Sequence, residues 1–365
     1  LKLSVIILNY NVRYFLELCL KSVQAAIHQI DAEIIVVDNN SEDDSCQMVR
    51  TFFPEVTLIQ NKENYGFSKG NNIGVRQAKG EYICILNPDT VVPEDVFINL
   101  LKSCESRSKL GAVGCKLIDG VGRFLPESKR NVPVIKASFK KMMGNSKLYY
   151  ANHLEENEEG EIDVLVGAFM LMKKKVYDEV GGFDEDYFMY GEDIDLSFKL
   201  LKEGYQNYYY GKTSILHFKG ESTLKDRLYA KRFYGAMQIF YKKHFRQNLL
   251  FDALVWFGIQ MAYFFRKIPK RSVKKINRYI LLSKRHNEKL QSKLLNNIFL
   301  EKEISNFEKS DELIFDANVL THKEIISSIE KYSKNNSLTF KILPNKASFI
   351  LGSDTAISRG EIIEF

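Results

Sequence analysis

At 365 residues the chain exceeds the ~100–200 usual for one domain, so one large α/β domain with an appendage, or two domains, is expected. A hydrophobic share of 45% and a charged share of 27% exclude wholesale disorder, collagen and low-complexity sequence. The net charge of +6 is modest but uneven: Arg266 to Lys289 holds ten Lys/Arg against the single acid Glu288, a stretch suited to solvent or an anionic surface.

The first half alternates apolar runs with helical patterns. Leu3–Leu8 precedes a helical stretch over Val12–Ile27, Glu33–Val37 precedes Asp43–Phe52, Val56–Gln60 precedes Ser68–Lys79, and Tyr82–Leu86 precedes Glu94–Cys104. This alternation predicts βαβ units on a mostly parallel sheet, with ligands at the carboxyl ends of the strands. Those ends are polar: Asn9, then Asp38-Asn39-Asn40, Asn61, and Asn87-Pro88-Asp89. One such end is ordinary turn chemistry, whereas four in succession point to a site. No charged leader precedes Leu3–Leu8, so no export signal is expected.

Five scattered cysteines, Cys19, Cys46, Cys84, Cys104 and Cys115, lack metal-like spacing; Cys84 and Cys115 lie inside apolar runs as buried thiols would, and a reducing cytoplasm fits. From about Gly120 to Glu161 the pattern breaks into a long polar loop near the site. Order returns at Ile162–Met172, where Gly167 and Ala168 would let backbone approach a ligand. Next come the aromatic run Tyr187 to Tyr190 and the acids Glu192, Asp193 and Asp195. Ile194, Phe198 and Leu201 follow at helical spacing, which puts Glu192 and Asp193 in a first helical turn. Acids there serve as dipole-favoured helix caps or as a catalytic pair.

Residues 249–265 form an apolar stretch of 17 positions with basic flanks, interrupted by Asp252 and Gln260. It is short for a membrane span and fits an interfacial helix on anionic lipid, or a helix packed on protein. The tail after about Ser305 reads strand, helix, strand, strand, over 312–315, 323–334, 339–343 and 348–351, a small α/β accessory module.

Three groups carry chemistry suited to moving a sugar from a nucleotide diphosphate. Asp38, after a strand, can accept hydrogen bonds from a nucleobase or ribose, or cap the next helix. Asp89 ends a buried strand and can bind Mg²⁺ or Mn²⁺, which need only one or two carboxylates plus substrate phosphates; His217 can add an imidazole ligand that suits Mn²⁺. For the general base, Asp193 or Glu192 stands beside Asp195 and after aromatic residues able to stack on a sugar, Tyr190 among them.

In order, the blocks LSVIILNYN, VVDNNS, NYGFSKGNN, LNPDT, VGAFMLMKKKVYDEVGGFDEDYFMYGEDIDL and LHFKGEST resemble glycosyltransferase family 2, in the rhamnosyltransferase-like branch of surface-polysaccharide assembly. The resemblance covers roughly residues 1–245. It implies a GT-A fold, a Rossmann-like nucleotide-sugar domain, with inverting chemistry and a divalent metal. By position, Asn9, Asp38, Asn40, Asn64, Gly66, Asn71 and Asn87 would line the nucleotide sugar. Asp89 and His217 would hold the metal, Asp193 with Glu192 would be catalytic, and Tyr190 and Asp195 would meet the acceptor. Asn87 stands where the family's Asp-x-Asp motif has its first acid.

The expected division is therefore a transferase domain over 1–245, a basic and apolar helical segment over 246–304, and the accessory module over 305–365. The expected partners are a nucleotide-sugar donor, a glycan or lipid-linked acceptor, and a peripheral contact with the inner face of the cytoplasmic membrane. No nucleic-acid partner is expected, and self-association is left open. Two other classes compete. A non-catalytic binding homologue has no reason to keep Asp89, Asp193 and His217 together, and a nucleotidyltransferase would carry a Gly-rich basic loop where Asn9-Tyr10-Asn11 stands.

Overall fold

The computed structural model describes residues 1–133, 148–220, 227–245, 276–284, 286–294, 298–301, 308, 310–334, 338–354 and 359–365. The apolar segment expected at the membrane, 249–275, lies outside these residues. No described helix is long and apolar enough to cross a membrane.

The alternating first half folds as its periodicity predicts. In chain order it runs β1 (Leu3–Asn9), α1 (Arg13–Ile27), β2 (Ala32–Asp38), α2 (Ser45–Phe52), β3 (Thr57–Gln60), α3 (Gly66–Gln77), β4 (Tyr82–Leu86), β5 (Thr90–Val91) and α4 (Val96–Glu105). Strands β1, β2 and β4 are apolar through their centres because helices cover both faces. Leu16, Met48, Val49, Phe97 and Leu100 of α1, α2 and α4 pack on one face. Val75 of α3 packs on the other, together with Leu196 and Leu200. Each fully buried Leu or Val of this kind contributes roughly 1.5–3 kcal/mol of transfer free energy.

The chain continues through β6 (Leu110–Ile118), a short 3₁₀ turn (Pro126–Ser128), β7 (Glu159–Ile162), β8 (Phe169–Lys173), α5 (Lys174–Glu179), α6 (Glu192–Lys202), β9 (Gln206–His217) and α7 (Arg227–His244). The sheet order is β3-β2-β1-β4-β8-β6-β9-β5, with β7 paired to β9. Strands β3, β2, β1 and β4 are parallel, and winding reverses between β1 and β4. Such a reversal opens a crevice at the carboxyl ends of the strands.

The stretch read as one long polar loop over 120–161 is partly built in. Arg130 bridges to both Tyr150 and Val164, β7 joins the sheet edge, and Lys129 and Arg130 are buried. The apolar run 162–172 is likewise divided, its first residue ending β7 and its last four lying in β8 with a turn between.

A second sheet holds β10 (Arg278–Leu282), β11 (Ile298–Glu301), β12 (Asp311–Asp316), β13 (Thr339–Leu343), β14 (Phe349–Gly352) and β15 (Glu361–Glu364), in the order β11-β10-β12-β13-β14-β15. With it go α8 (Glu288–Lys293) and α9 (His322–Tyr332). This corrects the expected boundary at 305, because residues 278–301 supply two parallel strands and a helix to this module. Its inner face, with Ile280, Phe315 and Ile326, shares one apolar cluster with Phe15, Val91, Leu216 and Phe218 of the first unit.

Candidate active site

At the winding reversal, β1 and β2 end side by side, Asn9 opposite Asp38. The Asn9 amide donates to Asp38 Oδ1 at 2.8 Å, the Ser41 hydroxyl donates to the same oxygen at 2.6 Å, and the Ser41 N–H donates to Oδ2 at 2.9 Å. Asp38 is thus buried and engaged on both oxygens, and it shapes the turn that carries the exposed Asn40 at φ +62°. It does not cap α2, whose N-cap is Asp44.

Behind this turn Asn39 donates to Asn64 Oδ1 at 3.1 Å and to the Gly66 carbonyl at 3.0 Å, while Asn61 donates back to Asn39 at 2.7 Å. Gly66 starts α3 at φ +78°, and a Cβ there would collide with the Phe188 carbonyl, which accepts the Phe67 N–H at 2.6 Å. Asn71, expected along the donor, is buried on α3, where its amide donates to the Phe67 carbonyl one turn back at 3.0 Å and its Oδ1 has no hydrogen-bond partner.

Asp89 and His217 meet because β5 pairs antiparallel with the end of β9, Thr90 opposite His217. His217 Nε2 lies 3.4 Å from Asp89 Oδ1 and 3.4 Å from the Asn87 amide nitrogen. Both Asp89 and His217 are buried, and the imidazole Nδ1 has no hydrogen-bond partner. No group of three or more His, Cys, Asp or Glu able to hold a metal occurs among the described residues. The pair therefore offers one carboxylate and one imidazole, a donor set that fits a divalent cation completed by phosphate oxygens and water.

The acids before α6 occupy its first turn, as their spacing predicts, with Gly191 as N-cap at φ +80°. Asp193 Oδ2 accepts from Arg130 Nη2 at 2.6 Å and from the Gly167 N–H at 3.1 Å. Burial opposes the Arg130 charge, but Asp193 and Tyr149 outweigh it and keep the guanidinium protonated. Glu192 differs: burial, and then the neighbouring Asp193 charge, push its carboxyl up to about 8, and its Oε2 is buried without a partner. The upward shift favours the protonated carboxyl, a form able to donate a hydrogen bond.

Asp195, expected at the acceptor, faces elsewhere. It is 1% exposed, takes the Tyr187 hydroxyl at 3.2 Å and His244 Nε2 at 2.6 Å, and so ties α6 to α7. Tyr187 is buried with it, whereas Tyr190 is half-buried at φ +70° and Phe188 is the exposed aromatic of the run. Arg130 and Ser41 escape the sequence reading, and Asn39 enters it only as part of a polar strand end. Arg130 lies in an aperiodic polar stretch where no spacing marks it, and Ser41 and Asn39 look like common turn residues.

With this geometry in place, residues 4–181 match the model for glycosyl transferase family 2. This segment, just under half of the chain, is similar to the family 2 glycosyltransferases. The chain is 27% identical over 242 residues to the N-acetylglucosaminyl-diphospho-decaprenol L-rhamnosyltransferase of Mycobacterium tuberculosis, covering 61% of this chain and 78% of that protein. It is 32% identical over 164 residues to the rhamnosyltransferase WbbL of Escherichia coli, covering 42% of this chain and 61% of that one. Among solved structures, the mannosyltransferase PcManGT from Pyrobaculum calidifontis in complex with GDP-Man and Mn²⁺ aligns at 19% identity and a TM-score of 0.49, over 72% of this chain and 70% of that one. The first unit is an α/β fold as expected, a mixed sheet whose parallel strands β3, β2, β1 and β4 are covered by helices on both faces.

Proposed function

We propose that this chain is a glycosyltransferase that moves a sugar, with inversion, from a dTDP-rhamnose-like or UDP-linked donor to a hydroxyl of a lipid-linked glycan on the cytoplasmic membrane face. The observation that carries the reading is the convergence of three groups on one end of the sheet: the Asp38 turn, the Asp89–His217 pair, and Asp193 held by Arg130. The naming of two relatives as rhamnosyltransferases, one for a diphospho-decaprenol acceptor, supports the donor and acceptor classes.

Asn9, Asp38 and Asn40 shape the base and ribose end of the crevice, with Asn64, Gly66 and Asn87 along the sugar diphosphate. Asp89 and His217 would hold a Mg²⁺ or Mn²⁺ ion, which when bound neutralises charge on the departing diphosphate. Asp193 accepts the acceptor hydroxyl proton as the new O–C1 bond forms and the C1–O bond to phosphate breaks. Arg130 fixes the direction of the Asp193 carboxylate, and Glu192 donates its proton in a hydrogen bond to a sugar oxygen. Tyr190 lies at the acceptor side.

The test is a thermal-shift screen of dTDP-rhamnose, UDP-sugars and GDP-mannose with Mg²⁺ or Mn²⁺, followed by NMR of the anomeric centre in the product. A cognate donor raises the melting temperature by mass action. A retained anomeric configuration, or no stabilisation by any nucleotide sugar, rejects the reading. Flotation of the full chain with anionic and neutral liposomes at low and high salt tests the membrane placement, and recovery in the buffer fraction under all conditions rejects it.

A further inference from the structure

The two residues assigned to the cation sit on a weak piece of sheet. Asp89 directly precedes β5, a strand of two residues at the sheet edge whose only strand partner among the described residues is the end of β9, which carries His217. Two paired residues do not hold a strand by themselves.

Helix α9 of the C-terminal module grips both strands. At its N-terminus, Glu94, five positions after Asp89, accepts the His322 N–H at 2.7 Å on one oxygen and the Lys323 N–H at 2.9 Å on the other. The His322 ring stands 3.1 Å from the same carboxylate. Thr321 takes the next N–H of the helix, from Glu324, so Glu94 completes the capping of α9 from outside the module.

Near the other end, two turns along, Glu330 bonds Lys116 of β6 and accepts the Ser214 hydroxyl at 3.0 Å. Ser214 lies on β9 three residues before His217. Between these ends Ile325, Ile326 and Ile329 seal the helix against the cluster that contains Val91 and Leu216 of β5 and β9.

We propose that the C-terminal module braces the cation site: α9 clamps the Asp89 strand through Glu94 and the His217 strand through Glu330, and so fixes the separation of the two ligands. Glu94 and Glu330 are positioning residues that touch no substrate. The inference rests on Asp89 and His217 binding the cation. The donor end of the crevice is built on β1, β2 and α3, which neither Glu94 nor Glu330 bonds, so nucleotide recognition should survive loss of the two carboxylates.

The experiment uses the full chain and the Glu94→Gln/Glu330→Gln double variant. Hydrogen exchange in cation-free buffer with chelator reads the amides of 88–92 and 214–218. Titration with Mn²⁺, followed by its paramagnetic resonance signal, reads cation affinity at a fixed UDP concentration. The variant is expected to exchange these two segments at least tenfold faster, with the amides of β1 and β2 unchanged, and to bind Mn²⁺ roughly tenfold more weakly. Each single variant should give a smaller shift, and Glu94→Asp should recover part of the loss.

Unchanged exchange and an unchanged Mn²⁺ curve overturn the brace. So does a uniform rise in exchange across the first sheet, which would mark a general loss of stability. If the unaltered protein binds no Mn²⁺, the cation assignment fails instead, and the exchange measurement still decides whether α9 holds the two strands.

Discussion

The two sheets of this molecule wind alike and end differently. In the first, β1 and β4 flank the reversal of winding; in the second, β10 and β12 do. By topology each offers a crevice at the carboxyl ends of its strands. In the first sheet those ends carry the Asp89–His217 pair, whose imidazole Nδ1 has no hydrogen-bond partner, and Asp193 held by Arg130 beside it. In the second, Asp316 is bonded by the Ser283 hydroxyl at 2.5 Å and by the Asn318 N–H and amide at 2.9 and 2.7 Å, and the N-terminus of α9 is filled by Glu94. On the function and brace proposed above, the same winding serves a reaction site in one place and a support in the other.

The strongest way to break that contrast is Asp89→Ala. It should abolish cation-dependent donor binding and transfer while leaving the circular dichroism spectrum unchanged. Asp193→Asn should retain donor binding by calorimetry and lose transfer by roughly 10²–10⁴-fold, the usual size of a general-base contribution. Near-native turnover would remove Asp193 from the role.

A pH measurement probes the acid beside it. Folded Glu192 holds its proton up to about 8, above the ordinary 4.5, so between those values the folded state binds more protons than the unfolded state. Its contribution is fully present below about pH 4.5 and is lost as pH rises towards 8. Denaturant unfolding across this range should show a downward slope that Glu192→Gln flattens; parallel profiles would contradict the raised value. Glu94 has the opposite sign. Burial raises its carboxyl, yet the His322 ring and the α9 N–H groups outweigh this and hold it at about 2. Its contribution is present above about pH 4.5 and lost as pH falls towards 2, by a small amount since the group is partly solvated. Glu94→Gln should flatten the acid limb of a melting-temperature profile.

The smallest effect sharpens the contrast from the other side. Asp316→Ala should cost about 1–3 kcal/mol of stability, the usual penalty for stranding buried hydrogen-bond partners, and leave the transfer rate at saturating cation within about twofold. A large loss of rate with normal stability would make the second crevice part of the reaction.

Sequence alone was enough for the βαβ half, because strands covered by helices on both faces must be apolar and their polar ends then stand out. Helix α6 was legible in its position, with Glu192 and Asp193 in its first turn, but not in its sheet-facing side: Ile194 and Phe198 of the expected stripe pack with Phe240 of α7, Leu201 is half-buried, and Leu196 and Leu200 face the sheet instead. Spacing could not reveal the partner of Asp193, since Arg130 lies 63 residues away in a stretch without period. Nor could it separate Asp193 from Asp195, two acids on one turn. Tertiary packing turned one towards Arg130 and the crevice and the other into the contact with Tyr187 and His244. The strands β10 and β11 were hidden inside a basic segment, where charge outweighed the short apolar runs. Local periodicity determined which segments became strands and helices. Contacts between residues far apart in the chain decided which acids stayed available for chemistry, because burial and pairing are set by neighbours that the sequence does not place together.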